Sequence, residues 1–88
     1  MYFVYTLISK KDGNFYVGFT NNLNRRAAEH FSGKVIATKS RQPLELIYYE
    51  TCLNQKDALA REKYLKSGKG KKYIKNRLKN YLIWRSNH

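Results

Sequence analysis

The run Tyr2-Phe3-Val4-Tyr5-Thr6-Leu7-Ile8, followed by Lys10-Lys11-Asp12-Gly13-Asn14 and Phe15-Tyr16-Val17-Gly18-Phe19-Thr20, decides the fold. The first segment is apolar or aromatic almost throughout and carries the β-branched Val4, Thr6 and Ile8. Such a short run without polar alternation suits a strand covered on both faces. Asp12-Gly13 is a hairpin signal, since glycine reaches positive φ without a steric penalty. The third segment is then the returning antiparallel strand. A register opposing Tyr5 to Thr20 and Leu7 to Gly18 puts Tyr5, Tyr16 and Gly18 on one side of the ribbon. There Gly18 leaves room for a ligand to approach the backbone.

Working outward, Asn21 or Asn22 is placed to cap a helix over Leu23 to Phe31. Leu23, Ala27 and Phe31 at four-residue spacing form its expected buried stripe, and Gly33 ends it. Lys34 to Gln42 reads as a basic loop. Pro43 introduces a third strand, Leu44 to Thr51. Asn54, with Asp57 three residues on, opens a helix to about Lys66, which Ser67-Gly68-Lys69-Gly70 breaks. A last helix, roughly Lys72 to Trp84, carries Ile74, Leu78, Tyr81 and Leu82 on one side. The order is ββαβαα. The expected fold is α/β in the broad sense (α+β), a small three-stranded antiparallel-type sheet flanked by about three helices, with residues 1–88 as one domain.

Eighteen Lys plus Arg against six Asp plus Glu give a formal net charge of +12, and aromatic residues make up 15% of the chain. That aromatic content is too high for a disordered basic tail. Cys52 is the sole cysteine, so neither an internal disulfide nor a multi-cysteine metal site is available. The first apolar run is too short for a secretory signal core and far below the ~20 residues of a membrane span. A soluble, cytoplasmic protein with no membrane partner is expected. From Arg61 to His88 there are ten Lys or Arg and one acid, Glu62, so +9 of the +12 lies in the last third. A polyanion is the physical expectation for a partner, because each phosphate neutralised releases condensed counterions. An anionic membrane surface and a solvated face kept for solubility compete with it. Nucleic acid is favoured, since the aromatics and the polar residues below call for a substrate as well as a surface.

Glu62 falls inside the arc of Ala58, Leu59 and Leu65 on its helix, where an ionised carboxylate is costly without a cation or hydrogen bonds. Position alone leaves an ion pair and metal ligation equally open; one carboxylate with waters and a substrate phosphate is an ordinary way to hold Mg²⁺. Arg26 and His30, four apart, share a helix face beside the expected stripe. The arginine offers a planar fork to phosphate oxygens and the histidine can move a proton, although an incidental surface histidine is the blander reading. For Tyr5 and Tyr16 half-buried strand packing is a strong competing reading, since that is the usual place of strand tyrosines. No phosphate-cradling glycine loop follows a strand, since Gly68 and Gly70 follow a helix, and no serine, histidine and acid stand in hydrolase context. Cys52, at a strand end without a base, reads as a small buried or half-buried residue.

Together these residues resemble the GIY-YIG nuclease superfamily, in particular its small stand-alone members of UPF0213 type. Phe3-Val4-Tyr5 matches the first motif and Tyr16-Val17-Gly18 the second, separated by a hairpin of suitable length. Phe3 stands in place of a glycine, and Val4 and Val17 in place of isoleucines. Arg26 matches the family's helix arginine and His30 the position one turn later. Ala60-Arg61-Glu62-Lys63 resembles the segment with the family's metal-binding glutamate, and Lys39 falls where many members place another polar residue. Asn76, then Asn80, are the nearest counterparts of a late asparagine.

The resemblance implies an endonuclease that hydrolyses phosphodiester bonds with one divalent cation, Mg²⁺ or Mn²⁺, held by Glu62. It implies Tyr5 or Tyr16 as the group that positions or deprotonates the attacking water, with His30 as a relay and Arg26 stabilising charge on the phosphoryl oxygens. Lys39, Arg41, Lys66, Lys69, Lys71 and Lys72 would grip flanking phosphates without reading bases. DNA is the expected substrate, without strong sequence specificity, and RNA remains open. A non-catalytic nucleic-acid binding module that keeps the fold is the alternative; a scaffold for an acidic protein is a weaker third.

Overall fold

The computed structural model describes residues 1–88. In chain order the elements are β1 (Tyr2–Ser9), β2 (Phe15–Thr20), α1 (Leu23–Phe31), α2 (Ile36–Lys39), β3 (Leu44–Cys52), α3 (Gln55–Lys66), α4 (Gly68–Arg77) and α5 (Lys79–Ser86). The sheet order is β2-β1-β3, with both pairings antiparallel. β1 is therefore central, and every residue from Val4 to Ser9 is buried, as its unbroken apolar run requires. Alternate residues face opposite layers. Val4 and Val17 pack with Ala58, Leu65 and Ile74 of α3 and α4. Tyr5 and Leu7 pack with Leu44 on the other face, bordered by Tyr16, Leu23 and Leu46.

The hairpin register is tighter than the sequence reading. Tyr5 lies opposite Gly18, and Leu7 opposite Tyr16. The turn closes with Gly13 at φ 74° and the Ser9 amide donating to the Asn14 carbonyl at 3.0 Å. The shift is an even number of residues, so Tyr5, Tyr16 and Gly18 still share a face. The space at Gly18 is not open to a ligand, however: the Tyr5 ring lies across it, and a Cβ there would collide with that ring.

Two helical features depart from the expectation. Lys34 to Gln42 is not a plain loop but contains α2, whose Thr38 is completely buried. The expected last helix is two, α4 and α5, hinged at Leu78 (φ −107°, ψ 22°), and α4 begins at Gly68. Ser67 is the reason: its side chain accepts from the Gly70 amide at 3.2 Å and so starts a helix where glycines suggested a break. A Cβ at Gly70 would strike the Tyr64 and Leu65 backbone, so glycine lets α4 lie directly against the end of α3.

Arg61 fixes the orientation of α3 on the sheet. Its Nε and Nη2 donate to the two carboxylate oxygens of Glu50 on β3, both at 2.8 Å, and Tyr48 donates to the same carboxylate at 2.7 Å. The guanidinium also covers the rings of Tyr64 and Tyr73, at 5.2 and 4.7 Å from their centroids. This clamp lowers the pKa of Glu50 and raises that of Arg61, each chiefly through their mutual hydrogen bonds. Glu62, the next residue, has a side chain only 19% exposed. No helix is long and apolar enough to cross a membrane.

Candidate active site

The site forms where β1, β2 and α1 meet. Asn22 caps α1 by accepting from the Arg25 amide at 3.1 Å, and Ala27 and His30 are its buried residues. The expected stripe is corrected here: Phe31 is 48% exposed, whereas His30 is completely inaccessible. Leu23, Ala27 and His30 continue one face at i, i+4 and i+7. The histidine escapes the penalty of a buried polar group because both ring nitrogens have partners. The Tyr5 hydroxyl lies 2.8 Å from Nε2, and Thr38 Oγ1 lies 2.7 Å from Nδ1. Beyond Gly33, at φ 77°, Gln42 Nε2 donates to the His30 carbonyl at 2.7 Å and closes the C-terminus of α1.

Burial lowers the His30 pKa to about 4, with the nearby Arg26 charge acting in the same direction. The ring is neutral at pH 7 and carries one N–H. One nitrogen therefore donates while the other accepts, so the proton directions in the Tyr5–His30 and Thr38–His30 bonds are coupled. Tyr5 and Tyr16 both contact this ring, with centroids 5.5 and 5.2 Å from it. Tyr5 is 1% exposed, and burial raises its pKa more than the nearby Arg26 lowers it. Charge on Tyr16 or Glu62 raises it further, which places both groups within electrostatic range of the Tyr5 hydroxyl. Arg26 Nη1 is held by Glu29 at 3.1 Å.

Glu62 sits on α3 with its side chain 19% exposed, paired with Lys66 at 3.0 Å. Of the two openings the sequence left, the ion pair is thus present. No group of three or more His, Cys, Asp or Glu is gathered anywhere in the chain. A single carboxylate fits a hard cation that keeps most of its waters, and does not fit an all-protein zinc cage. Beside it, Tyr16, Lys66 and Lys71 line a cleft of about 220 Å³ together with Phe15, Val17 and Leu65.

The remaining expected contacts are scattered. Lys39 is exposed at the end of α2, and its neighbour Thr38 reaches His30 instead. Arg41 braces the hairpin, donating to the Phe15 carbonyl at 3.3 Å and pairing with Asp12 at 3.7 Å. Lys69, Lys71 and Lys72 stand exposed on the first turns of α4, and none of them forms an ion pair. Asn76 and Asn80 are exposed, and neither side chain makes a hydrogen bond. Cys52 is a half-buried free thiol. Thr38 and Gln42 are the residues the sequence reading passed over, since nothing in a basic segment marks one hydroxyl or one amide as inward-facing.

Comparison with known proteins agrees with this architecture. A family model described as the GIY-YIG catalytic domain matches residues 1–78. The chain is 41% identical over 71 residues to a UPF0213 protein encoded in the ldhD 5′ region of Pediococcus acidilactici, covering 74% of this chain and 72% of that protein. It is 39% identical over 67 residues to a UPF0213 protein of Staphylococcus epidermidis, covering 75% and 80% respectively. It is 44% identical over 68 residues to one from Limosilactobacillus reuteri, covering 74% and 70%. No solved structure matches. With both motif tyrosines on one face of its hairpin and a family match over most of its length, the chain belongs to the GIY-YIG family, as a UPF0213-like member of that nuclease superfamily.

Proposed function

We propose that this protein is a divalent-metal-dependent endonuclease, one domain over residues 1–88, that hydrolyses phosphodiester bonds in DNA without strong sequence specificity and works in the cytoplasm. The observation that carries the reading is the convergence of Tyr5, Tyr16 and His30, with a 2.8 Å bond from Tyr5 to His30 and the Tyr16 ring 5.2 Å from the same imidazole. Convergence of separate chain segments on one polar cluster is what catalysis requires of a scaffold. Glu62 would hold Mg²⁺ or Mn²⁺, which when bound supplies Lewis-acid stabilisation of the scissile phosphate.

Of the two tyrosines, Tyr16 lines the open cleft whereas Tyr5 is enclosed. Tyr16 is therefore assigned to the attacking water and Tyr5 to holding His30 and Arg26 in place, because a general base must reach the proton it removes. Lys66 and Lys71 share the cleft with Tyr16. Arg26 supplies positive charge where negative charge grows on the phosphoryl oxygens. Lys69, Lys71 and Lys72 hold flanking phosphates. His30, neutral and doubly hydrogen-bonded, keeps Tyr5 aligned.

The Lys66 pair on Glu62 favours a second reading, a binding module in which that carboxylate is only structural. Incubation of supercoiled plasmid with Mg²⁺ or Mn²⁺, with and without EDTA, separates them. Nicking that requires the cation supports the nuclease; plasmid binding with no strand breakage under any metal supports the module.

A further inference from the structure

Helix α5 lies beyond the residues matched by the family model and contributes no buried residue. It nevertheless carries two aromatic rings that stack in a column with His88 just beyond its end. Tyr81 stacks on Trp84 with centroids 5.9 Å apart and planes at 27°, and Trp84 stacks on His88 at 4.6 Å and 17°. Trp84 is 54% exposed. An apolar core has no use for these rings, and so large an exposed indole is uncommon on a helix that buries nothing. Beside the column lies an open cleft of about 480 Å³ lined by Lys10, Glu45, Tyr81, Trp84, Arg85 and His88. Its single acid, Glu45, is bonded to Arg85 at 2.9 Å and to the Tyr81 hydroxyl. Lys10 also lines the cleft and forms no ion pair, its charge acting on Glu45 only at longer range.

We propose that this column is a stacking platform for an unpaired nucleobase, with Lys10 holding its phosphate. Planar rings beside an uncommitted cation are the chemistry by which single strands are bound without sequence readout. The His88 imidazole, nearly parallel to the indole, covers the indole in this structure and marks the place a base takes on displacing it. A duplex hides its base faces, so the platform favours a single strand, a flap or a frayed end. The inference rests on the reading of nucleic acid as substrate and adds a contact away from the Tyr5–His30 cluster. Lys10 follows Tyr5 by five residues, about 17 Å along an extended strand.

Trp84 is the only tryptophan, so its emission reports the platform directly. The probe is an oligothymidylate of about a dozen nucleotides, compared with an abasic strand of equal length and with a duplex. The oligothymidylate is expected to quench Trp84 and bind; the abasic strand is expected to bind more weakly and leave the emission unchanged. Trp84→Ala should weaken oligothymidylate binding about tenfold and change duplex binding less than about twofold. Because the side chain is half exposed, folding should survive, which circular dichroism verifies.

Binding with unchanged emission, equal quenching by the abasic strand, or undiminished affinity in Trp84→Ala overturns the platform while leaving the nuclease reading intact. An emission change with phosphatidylserine vesicles but not with the oligonucleotide overturns it in favour of a lipid surface. Failure of the protein to bind any nucleic acid overturns both readings.

Discussion

The Tyr5 hydroxyl lies 2.8 Å from His30 Nε2, inside a pocket that excludes the imidazole from solvent. This bond links the central strand to the first helix and makes His30 both a core residue and a polar one. Its neutrality follows from burial, and so does a dependence of stability on pH.

The folded pKa of His30, about 4, lies below its ordinary 6.5. Between these values the unfolded chain binds the proton and the folded chain does not. The contribution is therefore complete above pH 6.5 and is lost as pH falls toward 4. By linkage the loss at pH 4 is about 3 kcal/mol. Urea unfolding at a series of pH values should show this decline, and His30→Gln should flatten it.

Gly18 and Tyr5 should be energetically coupled. In Gly18→Ala the new methyl meets the Tyr5 ring, and overpacking of this kind costs roughly 1–3 kcal/mol. Combining it with Tyr5→Ala should cost less than the sum of the two single changes. Simple additivity in denaturant melts would contradict the observed placement of the ring.

Thr38→Val keeps shape but removes the oxygen facing His30 Nδ1. A buried nitrogen left without a partner costs about 1–3 kcal/mol. Nicking should fall more than plasmid affinity, and Thr38→Ser should restore both. Equal losses of nicking and affinity would mean that Thr38 only supports the fold.

Lys69, Lys71 and Lys72 have no protein partner and are assigned to phosphates. Replacing all three with Gln should flatten the dependence of log affinity on log salt, by about 0.9 for each contact made to duplex DNA. An unchanged slope in a fluorescence-anisotropy titration would assign binding to other cations.

Much of the fold was legible because local chemistry and tertiary context agree. The unbroken run over Val4 to Ile8 marks the central strand, and Asn22 and Asn54 cap the helices they precede. What was missed lies where they disagree. His30 is polar yet inaccessible, because Tyr5 and Thr38 satisfy it, so apolarity misdirected the buried stripe to Phe31. Gly68 and Gly70 suggest a break, but Ser67 caps a helix there and Gly70 is required by the close approach of α3 and α4. The motif tyrosines, Arg26 and Glu62 were expected as a set through the resemblance, whereas Thr38 became visible only once α2 was seen against His30. The chain spacing held the positions of the tyrosines, but only the folded hairpin placed Tyr5 over Gly18.

The central claim, that Glu62 and its surroundings form a metal-dependent nuclease, is tested most directly by measuring plasmid nicking and plasmid binding side by side for the wild type and Glu62→Gln. The variant retains hydrogen-bonding capacity near Lys66 and removes the charge that would hold the cation. The account predicts Mg²⁺- or Mn²⁺-dependent nicking by the wild type and a loss of at least about 100-fold in Glu62→Gln, with binding within about threefold of the wild type. Undiminished, metal-dependent nicking by Glu62→Gln would contradict it.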